Sequence, residues 1–390
     1  MIDTETLCQL LAPLGQEALA VAEAAEPDEA DFLPIFQRLA QRFPDPLARA
    51  AVEQAILRRR ARAKFSHADQ MYFAREALEQ ATSEPLAQYR ATRFHGFPYI
   101  FDLGCGIGGD TLALANVAPV IGIDKDRIRL MLLAANAQAL DLQEKISLVQ
   151  ADLYDLGMWF PPRSCGFFDP ARRTNERRLH SVNAYQPPIH IIHEWITSFE
   201  ALAVKVSPAV DLEQIAEYDC EVEFVSWRGQ LKEAILWFGA LRGAARKATV
   251  LPGPHSLTGE AQPPLLLSSP MTYLYEPDPA VMRAGLVRCL GRQMNAHQID
   301  PTIAFLTSND FIRTVFARAF RVEEVIPFSL KRLRAALRSR DVGTVTLKKR
   351  GSGVDTDDLI RRLRLRGSRE ETVILTRTDG RMVALIVEPM

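Results

Sequence analysis

The stretch Tyr99-Ile-Phe-Asp-Leu-Gly-Cys-Gly-Ile-Gly-Gly-Asp110 constrains this chain more than any other. A short apolar run ends in an acid, a glycine-rich turn follows at once, and Thr111 to Val117 reads as a helix. Strand, tight loop and helix N-terminus in succession can hold a nucleotide-like ligand against backbone. The glycines fit two patterns. Gly104, Gly106 and Gly109 satisfy G-x-G-x-x-G, the spacing of a dinucleotide site. Asp102 with Gly104, Gly106 and Gly108 satisfies D-x-G-x-G-x-G.

The second pattern resembles motif I of class I S-adenosylmethionine (SAM) methyltransferases. Ligand charge separates the two readings. A pyrophosphate is anionic and prefers a helix N-terminus with no carboxylate beside it. SAM carries an ammonium and a sulfonium, so the acids Asp102 and Asp110 around the loop favour it. Further strand-end acids follow in order. Pro119-Val-Ile-Gly-Ile-Asp124 is a second apolar strand about twenty residues on, the distance at which one βαβ unit sets a carboxylate on ribose hydroxyls. Lys125 stands beside that acid. Lys145 to Gln150 is a third strand, followed by Ala151-Asp152-Leu153. In methyltransferases an acid at this point accepts from the adenine amino group and the next residue packs on the ring. Asp102, Gly104, Cys105, Gly106, Gly108, Asp124, Lys125, Asp152 and Leu153 are therefore the expected cofactor-binding set. Each acid taken alone also fits an N-cap or an Asx-turn, Asp110 most simply.

A length of 390 residues suggests two or three domains, and 47% apolar residues suffice for full cores. The net charge of −1 hides an asymmetry. No Lys or Arg precedes Arg38, whereas Lys331 to Arg369 is crowded with basic residues and holds four acids. A basic end of that kind faces a polyanion or is a solvated helix surface. The five cysteines are scattered, without a C-x-x-C pair or a histidine at metal-ligand spacing. They imply a reducing compartment and no metal site. No secretory signal and no apolar run of bilayer length is present in the sequence, so the expected location is cytoplasmic, with no membrane partner.

Along the chain, residues 1–95 read as an N-terminal helical domain. The expected helices are Leu7–Ala25, Asp31–Phe43, Pro46–Lys64, His67–Thr82 capped by Ser66, and one from Ser83 and Pro85 toward Phe94. Residues 96–245 alternate strand and helix as a SAM-binding domain, closed by a hairpin of Glu221–Ser226 and Glu233–Phe238 through Arg228-Gly229. Residues 246–330 form a connecting segment. Its part from 250 to 270 reads as a Pro/Gly/Ser linker, followed by a strand Met271–Tyr275 and a helix Asp278–Leu290. Residues 331–390 read as a compact α+β module: strand Gly343–Lys349, helix Asp355–Leu365, and a hairpin of Glu371–Thr376 and Met382–Val387 about Asp379-Gly380.

The turn Asp169-Pro-Ala-Arg-Arg173, with Tyr273-Leu-Tyr-Glu-Pro-Asp278, Arg283-Ala-Gly-Leu-Val287 and the final segment carrying Lys348-Lys-Arg-Gly351, resembles bacterial class I SAM methyltransferases that end in a THUMP-like domain. The resemblance implies an α/β fold, namely a Rossmann-like class I sheet with an N-terminal helical domain and a C-terminal α+β THUMP-like module. It also implies SAM-dependent methylation of an RNA base nitrogen, in tRNA or rRNA. In amino methyltransferases the acceptor motif is [D/N]-P-P-[Y/F/W]; the acid and the first proline carbonyl aim the target amine at the methyl, and the ring stacks on the base. Asp169 and Pro170 match that motif, and Ala171 and Arg172 do not. Arg172 could stack by its guanidinium plane or hold a phosphate, and Arg173 could pair with phosphate or a structural acid. Phe73, Phe94 and Trp195 are alternative rings, each also a core candidate. Lys205, ending the fifth strand near the same cleft, is a candidate substrate contact, as are Lys348, Lys349 and Arg350 in the basic module. A small-molecule or protein methyltransferase, a SAM-binding RNA-binding protein without turnover, and a dinucleotide oxidoreductase stay open as alternatives. The residues do not identify an oligomeric state.

Overall fold

The computed structural model describes residues 2–156, 160–171 and 181–390, with backbone alone at 173–174 and 177–178. The chain divides into two units, Met1–Cys220 with Leu236–Arg242, and Glu221–Ile235 with Gly243–Met390.

The first unit opens with helices α1 (Thr4–Leu11), α2 (Pro13–Glu23), α3 (Phe32–Leu39), α4 (Asp45–Ala61), α5 (Arg75–Gln80) and α6 (Glu84–Ala91). The helix expected over Leu7–Ala25 is two helices, because Ala12 is extended (ψ 164°) ahead of Pro13. A residue before proline is driven out of the α region by the ring. The helix expected over His67–Thr82 survives only as α5. Upstream of it, the backbone of Tyr72 and Phe73 bonds to the side chains of Asn136 and Gln54 (Tyr72 N to Asn136 Oδ1 2.6 Å, Phe73 N to Gln54 Oε1 3.0 Å). Buried side-chain amides thus replace the helical bonds that the segment would otherwise make.

Five parallel strands follow: β1 (Tyr99–Leu103), β2 (Val120–Asp124), β3 (Ile146–Gln150), β4 (Ser164–Phe168) and β5 (Ala201–Val206). Helices α7 (Thr111–Leu114), α8 (Arg127–Ala139) and α9 (Ile192–Ser198) lie between them in sequence. The order is β5-β4-β1-β2-β3. The chain winds outward from β1 through β2 to β3, then returns to lay β4 and β5 on the other side. The point of reversal lies between β1 and β4, and open α/β sheets bind ligands beyond the carboxyl ends of the strands at such a point. The centre is packed by Ile100, Leu103, Phe167, Phe168 and the all-buried β5.

In the second unit, β6 (Glu221–Trp227) turns into β7 (Gln230–Gly239) through Arg228 and Gly229, both at positive φ (50° and 73°). Two such residues make the tight turn that suits twisted strands. The end of β7, Leu236–Gly239, counts with the first unit, next to β5. The stretch expected as a linker over 250–270 carries a hairpin turn and a strand up to Gly259, and irregular chain beyond it with one isolated bridge at Leu267. Strand β8 (Arg246–Leu251) runs parallel to β6 and pairs antiparallel with β9 (His255–Gly259). Its Pro252-Gly253-Pro254 is the turn of that hairpin.

After β10 (Tyr273–Pro277), the helix expected over Asp278–Leu290 is two helices, α10 (Pro279–Arg283) and α11 (Val287–Gln293). Gly285 at φ 74° separates them. Strands β11 (His297–Asp300), β12 (Ile303–Ser308) and β13 (Ala317–Pro327), helix α12 (Leu330–Ser339), strand β14 (Val342–Lys349), helix α13 (Thr356–Leu363) and strands β15 (Arg369–Thr378) and β16 (Arg381–Pro389) complete the unit. Their sheet has the order β11-β12-β10-β13-β16-β15-β14. Leu333 and Leu337 of α12 and Leu359 and Leu363 of α13, each pair one helical turn apart, enter one core with Val373, Leu375 and Ile386.

Candidate active site

The glycine loop leaves β1 and is tied to the end of β2: the N–H groups of Gly104 and Cys105 both donate to Ile123 O (2.8 and 3.0 Å). Gly108 must be glycine, since φ is +97° and a Cβ there would lie 2.3 Å from Leu133 Cδ1. A Cβ on Gly104 would point into the gap between the loop and the end of β4, 3.7 Å from Asp169 O and 3.9 Å from Leu153 Cδ1. With no side chain at Gly104, Gly106 or Gly108, and Cys105 and Ile107 buried, loop backbone lines a cradle at the point of strand reversal.

Asp102 is 1% exposed and accepts from Thr111 Oγ1 at 2.6 Å. Burial, then the charge of Asp110, pushes its carboxyl up to about 8, against the Thr111 bond, with Asp169 adding to the rise. Burial and the neighbouring acids thus favour the protonated form of Asp102, and a cation bound beside it would favour the carboxylate. Asp124 accepts from Gly106 N at 3.0 Å and from Asp126 N at 2.9 Å, which fixes its carboxylate at the end of β2. Asp152 accepts from Tyr154 N at 3.1 Å, and Lys125 lies 3.8 Å from its Oδ2. Leu153 is buried. The buried Cys105 thiol is pushed up by burial and by Asp102 and Asp124, which makes it inert as a nucleophile.

Asp169 and Lys205 stand one residue beyond the paired Phe168 and Val204, so their side chains meet at the carboxyl ends of β4 and β5. Lys205 Nζ donates to Asp169 Oδ2 at 2.5 Å and to Thr82 Oγ1 at 2.7 Å. Pro170 is buried, and Ala171 exchanges two backbone bonds of 3.0 Å with Gln186. Arg172 and the side chain of Arg173 lie outside the described residues. The three alternative rings are core residues. Phe94 packs against Phe167 and Trp237, Trp195 packs edge-on against Phe168, and Phe73 packs on Phe65.

Four residues absent from the sequence-derived set support this arrangement. Arg90 pairs with Asp110 and lies over the Phe167 ring, 5.1 Å from its centroid. Buried Asn136 donates to Tyr72 O and to Ile107 O (both 3.1 Å), joining the glycine loop to the segment before α5. Thr82 meets Lys205, and its N lies 3.4 Å from where a Gly109 Cβ would stand. Lys64 Nζ donates to the carbonyls of Leu78, Glu79 and Ala81 (2.7, 3.0 and 2.9 Å). The signal for Arg90 was in the sequence, because it shares helical spacing with the apolar Leu86, Ala87 and Phe94.

A family model described as RNA cap guanine-N2 methyltransferase matches residues 97–197, one described as THUMP domain-like matches 317–389, and a domain of unknown function matches 3–61. The chain is 34% identical over 339 residues to uncharacterized S-adenosylmethionine-dependent methyltransferases of two Mycobacterium tuberculosis strains, CDC 1551 and H37Rv, covering 84% of this chain and 92% of each relative. It belongs to this family of SAM-dependent methyltransferases. The crystal structure of a candidate methyltransferase from Porphyromonas gingivalis W83 shares the fold, with a TM-score of 0.71, 21% identity, and coverage of 93% of this chain and 99% of that one.

The methyltransferase thus carries a class I domain and a THUMP-like C-terminal domain, and uses SAM. Among the described residues, no helix is long and apolar enough to cross a membrane, and no group of His, Cys, Asp or Glu is placed to hold a metal ion. Within the C-terminal domain, Lys348 lies 2.8 Å from Glu276 Oε2 and Arg350 lies 3.6 Å from Glu276 Oε1. Lys349 is exposed, with Nζ on Val354 O at 3.1 Å. On α12, Arg334 and Arg338 donate to the carbonyls of Arg362 and Arg364 at the end of α13, while Lys331 and Arg332 are exposed.

Proposed function

We propose that the methyltransferase methylates a base nitrogen of an RNA, tRNA or rRNA. The observation that carries this reading is the Asp169-Pro170 corner beside the glycine cradle, in a chain that also has a THUMP-like domain with exposed basic helices. The cradle suits SAM: acids lie around it, and at Gly106, where a Cβ would meet nothing within 4 Å, the loop backbone is open to a ligand. In this reading Gly104, Cys105, Gly106 and Gly108 offer backbone to the cosubstrate, with the buried Asp102 carboxyl behind the loop, whose ionised form the cationic cosubstrate favours. Asp124, with Lys125 beside it, accepts from the ribose hydroxyls, Asp152 accepts from the adenine amino group, and Leu153 packs on the ring.

Bound SAM supplies a methyl group already activated on a sulfonium, so the protein's part is alignment. The Asp169 carboxylate accepts a hydrogen bond from the acceptor N–H, and the Pro170 carbonyl accepts a second, which together turn the nitrogen lone pair toward the methyl. In this reading Arg172 and Arg173, whose side chains lie outside the described residues, contribute contacts to the base or its phosphate. Lys349 and the exposed Lys331 and Arg332 contact the RNA backbone, with Lys348 and Arg350 held ready on Glu276. The match to an RNA cap guanine-N2 methyltransferase model over residues 97–197 supports an exocyclic amine as the acceptor.

The experiment is a comparison of nucleoside mass spectra of RNA from wild-type and gene-deleted cells. The expected result is one methylated nucleoside lost on deletion and restored in vitro by the wild-type protein with SAM, but not by Asp169→Ala. Unchanged RNA, with label transferred instead to a protein or a metabolite, overturns the RNA assignment.

A further inference from the structure

We propose that Lys205 is a positioning residue for methyl transfer: its ammonium, held between Thr82 and Asp169, sets the direction in which the Asp169 carboxylate meets the acceptor. This rests on the reading that Asp169 faces the acceptor.

Every residue of β5 is buried, and Lys205 is 4% exposed. A lysine is rarely found at such a depth unless its charge is paired. Here the partners are a carboxylate at 2.5 Å and a hydroxyl at 2.7 Å. Stability gives a weak reason for such a pair, since a buried ion pair does little better than an apolar replacement of similar volume. Its location gives a stronger one. The pair lies at the carboxyl ends of β4 and β5, and Asp169 adjoins the glycine loop, its O lying 3.7 Å from where a Gly104 Cβ would stand.

The geometry explains what the ammonium adds. The last torsion of an aspartate side chain is broad and poorly fixed by itself. A short charge-assisted bond to one oxygen fixes the carboxylate plane and with it the direction of the other oxygen. Thr82 fixes the ammonium in turn. Thr82 also stands against the glycine loop, since its N lies 3.4 Å from the Gly109 Cβ position. One residue thus references the acceptor acid to the wall of the cosubstrate cradle. In-line methyl transfer depends steeply on that reference, because a misplacement of about 1 Å costs on the order of 100-fold in rate.

The test uses the full-length protein with methyl-labelled SAM and an extract of gene-deleted cells, separated afterwards into RNA, protein and small molecules. Lys205→Met is expected to lower kcat about 100-fold. Its KM for SAM and its calorimetric affinity for S-adenosylhomocysteine should stay within about twofold of wild type. Placed on Asp169→Asn, the same substitution should change kcat by no more than about twofold, because it acts through a group already altered. Wild-type kcat in Lys205→Met, additive losses in the double variant, or a loss of S-adenosylhomocysteine affinity that accounts for the loss of rate would each overturn the proposal. Should Lys205→Met fail to fold, Thr82→Val decides. It is expected to lower kcat about tenfold with cosubstrate affinity kept, and an unchanged kcat overturns the proposal. Label in the protein or small-molecule fraction overturns the RNA reading while Lys205 is judged on that fraction; no label anywhere overturns both.

Discussion

Arg90 and Asp110 join the helical region to the glycine loop through an ion pair whose guanidinium is 1% exposed. Arg90 comes from α6, before the first strand, and Asp110 closes the loop after it. Arg90 also opposes the rise of the Asp102 carboxyl. Arg90→Leu leaves Asp110 without this buried counter-charge, and removing one partner of such a pair costs about 3–5 kcal/mol. Denaturant unfolding of Arg90→Leu should show a loss of that size, and adding Asp110→Asn should recover most of it.

Asp102 makes stability depend on pH. Its carboxyl is pushed up to about 8 in the folded protein, against about 4 for an aspartate in an unfolded chain. Between those values the unfolded chain has released a proton that the folded protein still holds. Stability therefore falls as pH rises from about 4 to about 8 and is flat above. Asp102→Asn removes this slope and keeps an acceptor for Thr111. Chemical denaturation from pH 4 to 9 should find the variant closest to wild type at the acid end and most stabilised relative to it at pH 8 and above.

Two loop glycines should respond differently to alanine. At Gly108 the new methyl meets Leu133 at 2.3 Å on a backbone with φ of +97°. At Gly106 φ is +55° and nothing lies within 4 Å. Gly106→Ala should cost about 1–2 kcal/mol, the ordinary penalty of a left-handed non-glycine residue. Gly108→Ala should cost about 1–3 kcal/mol more, for overpacking. Thermal unfolding with and without S-adenosylhomocysteine measures both.

The exposed α12 residues Lys331 and Arg332 test the RNA reading. If each neutralises one phosphate, Lys331→Glu with Arg332→Glu should weaken tRNA binding across sequences. The salt slope should become shallower by about one per lost contact. S-adenosylhomocysteine affinity, measured by calorimetry, should not change.

The proposed site residues are mostly local in sequence, which is why sequence alone could nominate them. The loop from Asp102 to Asp110, the strand-end acids Asp124 and Asp152, and the Asp169-Pro170 corner each declare themselves within a few residues. The sheet was legible for the same reason, since apolar runs ending in acids recur along it. What failed was punctuation. Pro13 and Gly285 divide helices that looked continuous, and the turn Pro252-Gly253-Pro254 was read as a linker although it joins two strands. Long-range partners were beyond reach. Thr82 and Lys205 are 123 residues apart, and Tyr72 and Asn136 are 64 apart. No periodicity in either segment names the other, so Thr82 reads as the end of a helix, and nothing in the sequence marks Asn136.

The ammonium of Lys64, shared among the carbonyls of Leu78, Glu79 and Ala81, has a bearing on dissection of the protein. It braces the turn that delivers Thr82 to Lys205, so if Lys205 positions Asp169 as proposed, part of that support is encoded more than thirty residues ahead of the strand Tyr99–Leu103. A truncation starting at the conventional first strand would discard Thr82, Arg90 and their scaffold together. On that proposal, a fragment that keeps methylation is expected to begin upstream of Lys64.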